Sequence, residues 1–328
     1  AAALKNALMA ADLETITEER TDMLNIIQPD ETEATALNNY RDGDAPASKL
    51  RLCEAFLLTL TEAPRFNAKL ICYTTFYTAA KVLRGVQVDL EALATSMQQL
   101  RTSRALQELM KVTLQVSNFM NSHSSRLAKA IRIKSVVKFA QMKSHSGNGT
   151  LLMAVAKMLG SGFPLAGEVI GLRAALAVDS SALDASMTDV GRAIRTSVKE
   201  LELWVAEGGG PGAAALQKEV CQLEAFFLET AKRREESEKS SKELLAMYGE
   251  DPGEDLKEWL GQANDAVVAL TAAIERNEAL ARAQEREVRL EAEKQKRLAM
   301  RQSRESQDSF DATSSASEVD DGRATGSM

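Results

Sequence analysis

Proline, histidine, cysteine and aromatic residues are all scarce in this chain of 328 residues. Six prolines leave room for long helices, whose interiors tolerate almost none. Three cysteines (Cys53, Cys72 and Cys221) are odd in number and widely spaced, which points to free thiols in a reducing compartment, each read as a small buried apolar residue. Neither His123 nor His145, the only histidines, has a Cys, His or carboxylate at metal-ligand spacing, so no metal site is expected. No apolar run approaches the roughly 20 residues of a membrane span. The opening AAALKNALMAADLE has no basic stretch ahead of an apolar core, which argues against a signal peptide and for the cytoplasm. The glycines at 208–210 and 212 are followed by no Lys-Ser/Thr, so they form no phosphate cradle. No G-x-S-x-G positions a nucleophile. These absences favour a binding protein over an enzyme, with no cofactor.

One further absence is local. Acidic residues outnumber basic ones by 47 to 40 overall, yet none falls between Glu108 and Glu168. That interval carries Lys111, Arg126, Lys129, Arg132, Lys134, Lys138, Lys143 and Lys157. Taking these eight charges from the formal −7 leaves −15 on everything else. Most charge runs are merely solvated helix faces. A long acid-free interval on an acidic body is instead suited to steer an acidic partner, with salt-sensitive binding. Only Phe119 and Phe139 lie near it, too few aromatics for nucleic-acid stacking, and no nucleic acid is expected. The apolar face of Ile131, Ile133, Val136 and Val137 is poor for a membrane surface. An acidic protein surface fits best.

What is present is helical patterning. After Leu93 the apolar residues Met97, Leu100, Leu106, Leu109, Met110 and Leu114 follow a period near 3.6, with Thr102 and Ser103 able to restart a helix. Breaks are expected at RDGDAPASK (Arg41 to Lys49), at the linker GSGFPLAG (Gly160 to Gly167), at the flexible loop EGGGPGAAA (Glu207 to Ala215) and at YGEDPGED (Tyr248 to Asp255). Both tryptophans, Trp204 and Trp259, are expected in the core of helices. Leu260, Val267, Ile274, Ala281 and Val288 repeat every seven residues, with Ala263 and Leu270 beside them, a seam good for two heptads that then fades into charge. Ala281 to Arg304 holds eight positives and four negatives. The fold class is all-α and elongated, with a structureless tail over 305–328.

The acid-free interval also resembles a known family, that of the formin homology-2 domain. The family pattern is a helix ending Gly-Asn-Tyr/Phe-x-Asn, a loop, Gly-Phe-x-Leu, Lys-Leu-x-Asp-Thr-Lys-Ser and then Thr-Leu-Leu. Here Ser117-Asn118-Phe119-Met120-Asn121, Ala130-Ile131-Arg132-Ile133, Lys138-Phe139-Ala140-Gln141-Met142-Lys143-Ser144 and Thr150-Leu151-Leu152 follow in order. Tyr40, Asp42, Gly43, Asp44, Glu54, Phe56, Leu57, Pro64 and Arg65 match an upstream run, and LLAMYGEDPGEDLKEWL a downstream one. Ser117, Ala130-Ile131 and Gln141-Met142 depart from the pattern, the last removing an aspartate beside the lysine.

The resemblance implies an elongated rod of knob, three-helix-bundle or coiled-coil, and post regions. The core would span 1–304, with 1–85 knob-like, 86–160 carrying the basic patch and post motif, and 161–304 the coiled-coil and C-terminal helices. It implies an actin-binding module that associates with the filament barbed end to nucleate or processively elongate actin, in the cytoplasm at the actin cytoskeleton. Lys143 falls on the family's actin-contacting lysine, with Lys138, Arg132 and Lys134 as further candidates. Asn118, Phe119 and Asn121 fall in the post that receives a partner's lasso. The full-length protein is expected to be a homodimer. This chain, which shows no lasso or linker and starts after the knob isoleucine, is expected to be monomeric and weakly active. Profilin would bind only through a segment outside the chain. The alternative is a helical scaffold whose basic C-terminal helix binds microtubules or an anionic membrane.

Overall fold

The computed structural model describes residues 1–43, 49–123, 127–145 and 149–317, with side chains through Met300. Asp44 of the upstream motif, Arg126 of the basic interval and residues 318–328 of the tail lie outside the described residues. Within them the protein is all-α, with one isolated antiparallel bridge between Lys143 and Thr150. The helices run α1 (Ala2–Met9), α2 (Glu18–Ile27), α3 (Glu31–Asp42), α4 (Leu52–Thr61), α5 (Phe66–Thr102), α6 (Arg104–Met120) and α7 (Ile133–Gln141). They continue as α8 (Leu151–Leu159), α9 (Leu165–Glu168), α10 (Leu172–Ala177), α11 (Ser180–Ala206), α12 (Gly210–Met247) and α13 (Leu256–Ser317).

The chain divides into two compact units. The first comprises Ala1–Arg104 and Leu165–Asn264. Its frame is a three-helix bundle in which α11 and α12 pack along α5 and against each other. Helix α5 buries Leu70, Tyr73 and Ala79, and then Leu83, Val86, Leu90, Leu93, Met97 and Leu100, a stripe that from Leu83 steps by three and four residues. The expected segment edge at residue 85 falls inside this unbroken helix. Ser103 ends it in extended backbone, and α6 restarts one residue later. Gly191 lets α11 and α12 approach, since a Cβ there would meet the Phe227 ring at 2.6 Å.

The N-terminal segment closes one end of this bundle. Leu8, Ala11, Ile16 and Leu24 join Leu60, Phe66, Tyr73, Leu201, Trp204 and Leu216 in one core. Three polar tips fix the register: Tyr73 Oη donates to Leu8 O at 2.9 Å, Tyr77 Oη to Ile16 O at 2.7 Å, and Trp204 Nε1 to Met9 O at 3.1 Å. At the other end Tyr248, the C-cap of α12, donates to Leu100 O at 2.7 Å and leans on Trp259 with ring centroids 5.1 Å apart. Both tryptophans are thus core residues, as their helical setting suggests.

The loop expected over Glu207 to Ala215 is shorter than that. Helix α12 already begins at Gly210, because Pro211 is pre-set for a first helical turn. The Gly160 to Gly167 linker likewise contains the start of α9. Cys72 is buried and free, but Cys53 and Cys221 are exposed on the outer faces of α4 and α12, contrary to the expectation of burial. In the first half of α13, Trp259, Leu260, Ala263, Ala266, Leu270 and Ala273 are buried, whereas Ala281 and Val288 are exposed, so the seam stops where charge takes over.

The second unit comprises Ala105–Pro164 and Asp265 onward. Helix α6 buries Ala105, Leu106, Leu109, Val112 and Thr113 along one face. Helix α7 turns Ile133, Val136 and Phe139 inward and packs on α8, which supplies Leu152, Met153, Val155 and Ala156. Asn277 of α13 donates to Met153 O at 2.8 Å. The tail expected to be structureless from residue 305 continues α13 to Ser317, no proline or glycine intervening between Gly261 and Gly322 to break it.

Candidate functional site

The described part of the basic interval lies in the second unit. Helix α6 ends at Met120, and the chain returns to α7 through a segment anchored by Asn118. The Asn118 side chain donates to Ala128 O and accepts from Ala128 N, each at 2.9 Å, copying a backbone pairing with one amide. Asn121 Nδ2 bonds back to Ser117 O at 3.0 Å and closes the helix end. Phe119, between them, makes no such bond. It is 81% exposed, and Met120 and Leu127 beside it are exposed too. The three expected post residues are therefore brought together with different parts to play. Two shape the turn and one faces outward.

Arg132 occupies the N-cap position of α7 and is exposed. Lys134 and Lys138 follow one helical turn apart, on the face opposite the buried Ile133, Val136 and Phe139. Burial of the apolar face thus dictates which way the lysines point. Met142 then leaves the helix in extended backbone, and Lys143 pairs with Thr150 across the isolated bridge. Two bonds hold that turn, Ser144 N to Gly149 O and Leu151 N to Met142 O, both at 2.8 Å. Thr150 also caps α8, its side chain accepting from Met153 N. Lys143 is therefore an exposed cation on backbone fixed from both sides.

Lys134, Lys138 and Lys143 have no carboxylate at ion-pair distance among the described residues. Lys111, by contrast, is engaged by Glu108 at 3.3 Å on its own helix. Both histidines sit in exposed turns, and the described residues hold no group of three metal-ligating side chains. No helix among them is long and apolar enough to cross a membrane. What this surface can do is bind an anionic face by charge.

A second charged constellation escaped the sequence reading and lies in the first unit. Arg65, in left-handed backbone at φ 54°, forks onto Glu200 at 2.9 and 3.0 Å and onto Glu207. Lys69, fully buried one turn on, bonds Glu200 at 3.0 Å and Pro64 O at 2.8 Å, and lies 5.1 Å from the Trp204 ring centroid. The Arg65 fork holds the Glu207 carboxyl below its usual range. This knot joins the start of α5 to the end of α11. Its partners are more than 130 positions apart, so no local pattern announces it.

The model of the family described as Formin Homology 2 Domain matches residues 1–264. Formin-like protein 5 of Oryza sativa subsp. japonica is 24% identical over 265 residues, covering 76% of this chain and 16% of the relative. Formin-A of Dictyostelium discoideum is 23% identical over 278 residues, covering 81% and 23%. Formin-like protein 16 of Arabidopsis thaliana is 25% identical over 256 residues, covering 75% and 35%. The chain thus spans well under two thirds of the length of these relatives.

Proposed function

The chain belongs to the Formin Homology 2 Domain family, and on that premise we propose that it is an actin-binding module acting at the filament barbed end to nucleate or elongate actin. The observation that carries the reading is three exposed lysines without a carboxylate at ion-pair distance among the described residues, Lys134 and Lys138 on one side of α7 and Lys143 on the bridge that follows it. Actin offers an acidic surface, and three unopposed lysines on fixed backbone meet it without first breaking ion pairs of their own. Arg132 is exposed at the head of the same helix. The exposed Phe119 ring is read as the contact for a segment of a second copy in a homodimer, with Asn118 and Asn121 holding the turn that presents it.

Co-sedimentation with actin filaments at low salt tests the proposal. Reversing Lys138 and Lys143 to glutamate is expected to weaken binding by about tenfold, the equivalent of roughly 1.4 kcal/mol. Equal sedimentation of the variant and the unaltered chain would overturn it. Circular dichroism checks that the variant keeps its helices, which it should, since both side chains are exposed.

A further inference from the structure

The half of α13 beyond the packed seam poses a separate question. From Ala279 to Met300 every residue is exposed. At 3.6 residues per turn, Arg282, Arg286, Arg289, Lys296 and Arg297 fall within one arc of about 100°. Glu293 is the one acid inside that arc; Glu285 lies at its margin, and Glu287 and Glu291 lie on other faces. Arg282 reaches Glu278 at 3.0 Å, while Arg286, Arg289, Lys296 and Arg297 have no carboxylate partner among the described residues.

The apolar residues of this stretch decide what the stripe can take. Val288, Leu290, Leu298 and Met300 are 58–72% exposed and point in four different directions around the helix. They form neither the a/d seam of a coiled coil nor the single apolar face of a helix lying in a membrane. No aromatic residue offers a stacking platform for bases. The charge is instead arranged in two clusters, Arg282/Arg286/Arg289 and Lys296/Arg297, interrupted at Glu293. From end to end the stripe is about 22 Å long.

We propose that this stripe is a docking site for an extended acidic peptide, one carrying two short runs of Asp or Glu. At about 3.3–3.6 Å per extended residue, six or seven residues match the stripe. A gap of about three residues between the two runs matches the separation across Glu293. Charge complementarity over this length supplies both attraction and direction. The site is independent of the actin-facing surface, because it uses none of the α7 or bridge residues.

Fluorescence anisotropy of a labelled octaglutamate peptide against the full chain at low salt tests this. The Arg286→Glu/Arg297→Glu variant is expected to bind at least about tenfold more weakly. The control Lys239→Glu/Lys294→Glu, of equal net charge but off the stripe, is expected to stay within about twofold. A triglutamate peptide should bind much more weakly than octaglutamate. Equal losses in both variants would overturn the proposal, as would the absence of octaglutamate binding. So would stripe-dependent binding that phosphatidylserine vesicles or duplex DNA win over octaglutamate at equal charge.

Discussion

Glu200 is 4% exposed and accepts from two cations, one of them the fully buried Lys69. Removing a single member of such a knot strands a charge away from water, which costs far more than a surface pair contributes. Glu200→Ala is therefore expected to destabilise the chain by about 3–5 kcal/mol in urea unfolding, with Lys69 left against Pro64 O and the Trp204 ring. Glu207→Ala, at the exposed end of the knot, should cost no more than about 1 kcal/mol. Cysteine offers a second test at this scale. Burial pushes the Cys72 thiol up to about 12, while Cys53 and Cys221 face solvent. A thiol reagent at pH 8 should label two cysteines in the native chain and the third only on unfolding. Because the folded thiol holds its proton more tightly, its contribution to stability is complete below the ordinary value of 9 and is lost as pH rises towards about 12. Nothing in the sequence distinguished Cys72 from the other two, since burial on α5 depends on which face meets α11.

Individual elements explain what could be read and what could not. Helix α7 was legible only in part: the sequence showed an apolar face that included Ile133 and Val136, but not that Phe139 completes it or that Lys134 and Lys138 take the opposite side. The stop at Tyr248 and Gly249 was legible, its glycine adopting φ 72°. The start of α12 was not, because three adjacent glycines suggest a loop until packing on the N-terminal segment selects the helix. Gly212 shows the reason: a Cβ there would lie 2.5 and 2.6 Å from the backbone oxygens of Ala10 and Ala11. Gly212→Ala is accordingly expected to destabilise by about 1–3 kcal/mol in thermal unfolding, although alanine is ordinarily the better helix former. An unchanged or raised melting temperature would contradict this packing. The Asn118 clamp was also hidden. The motif drew attention to Asn118, but its bond to Ala128 across ten positions is a property of the folded turn. Asn118→Ala should cost about 1 kcal/mol and reduce binding at the α7 surface by loosening the segment that leads to it.

For the whole molecule, the distribution of charge is the feature that links sequence to function. The acid-free interval was visible in the sequence, and so was its order of motifs. That Lys134, Lys138 and Lys143 are exposed, with backbone fixed on both sides of Lys143, follows from the burial of Ile133, Val136 and Phe139 and from the Thr150 bridge. Seeded elongation of actin from barbed ends, followed across a salt series, tests the central claim most directly. The unaltered chain should alter the elongation rate at low salt and lose that effect as salt rises. Lys143→Asp should weaken the effect several-fold at low salt and flatten its salt dependence while leaving the fold intact, its side chain being exposed. An effect on elongation that persists unchanged in Lys143→Asp, or that is insensitive to salt, would contradict the account.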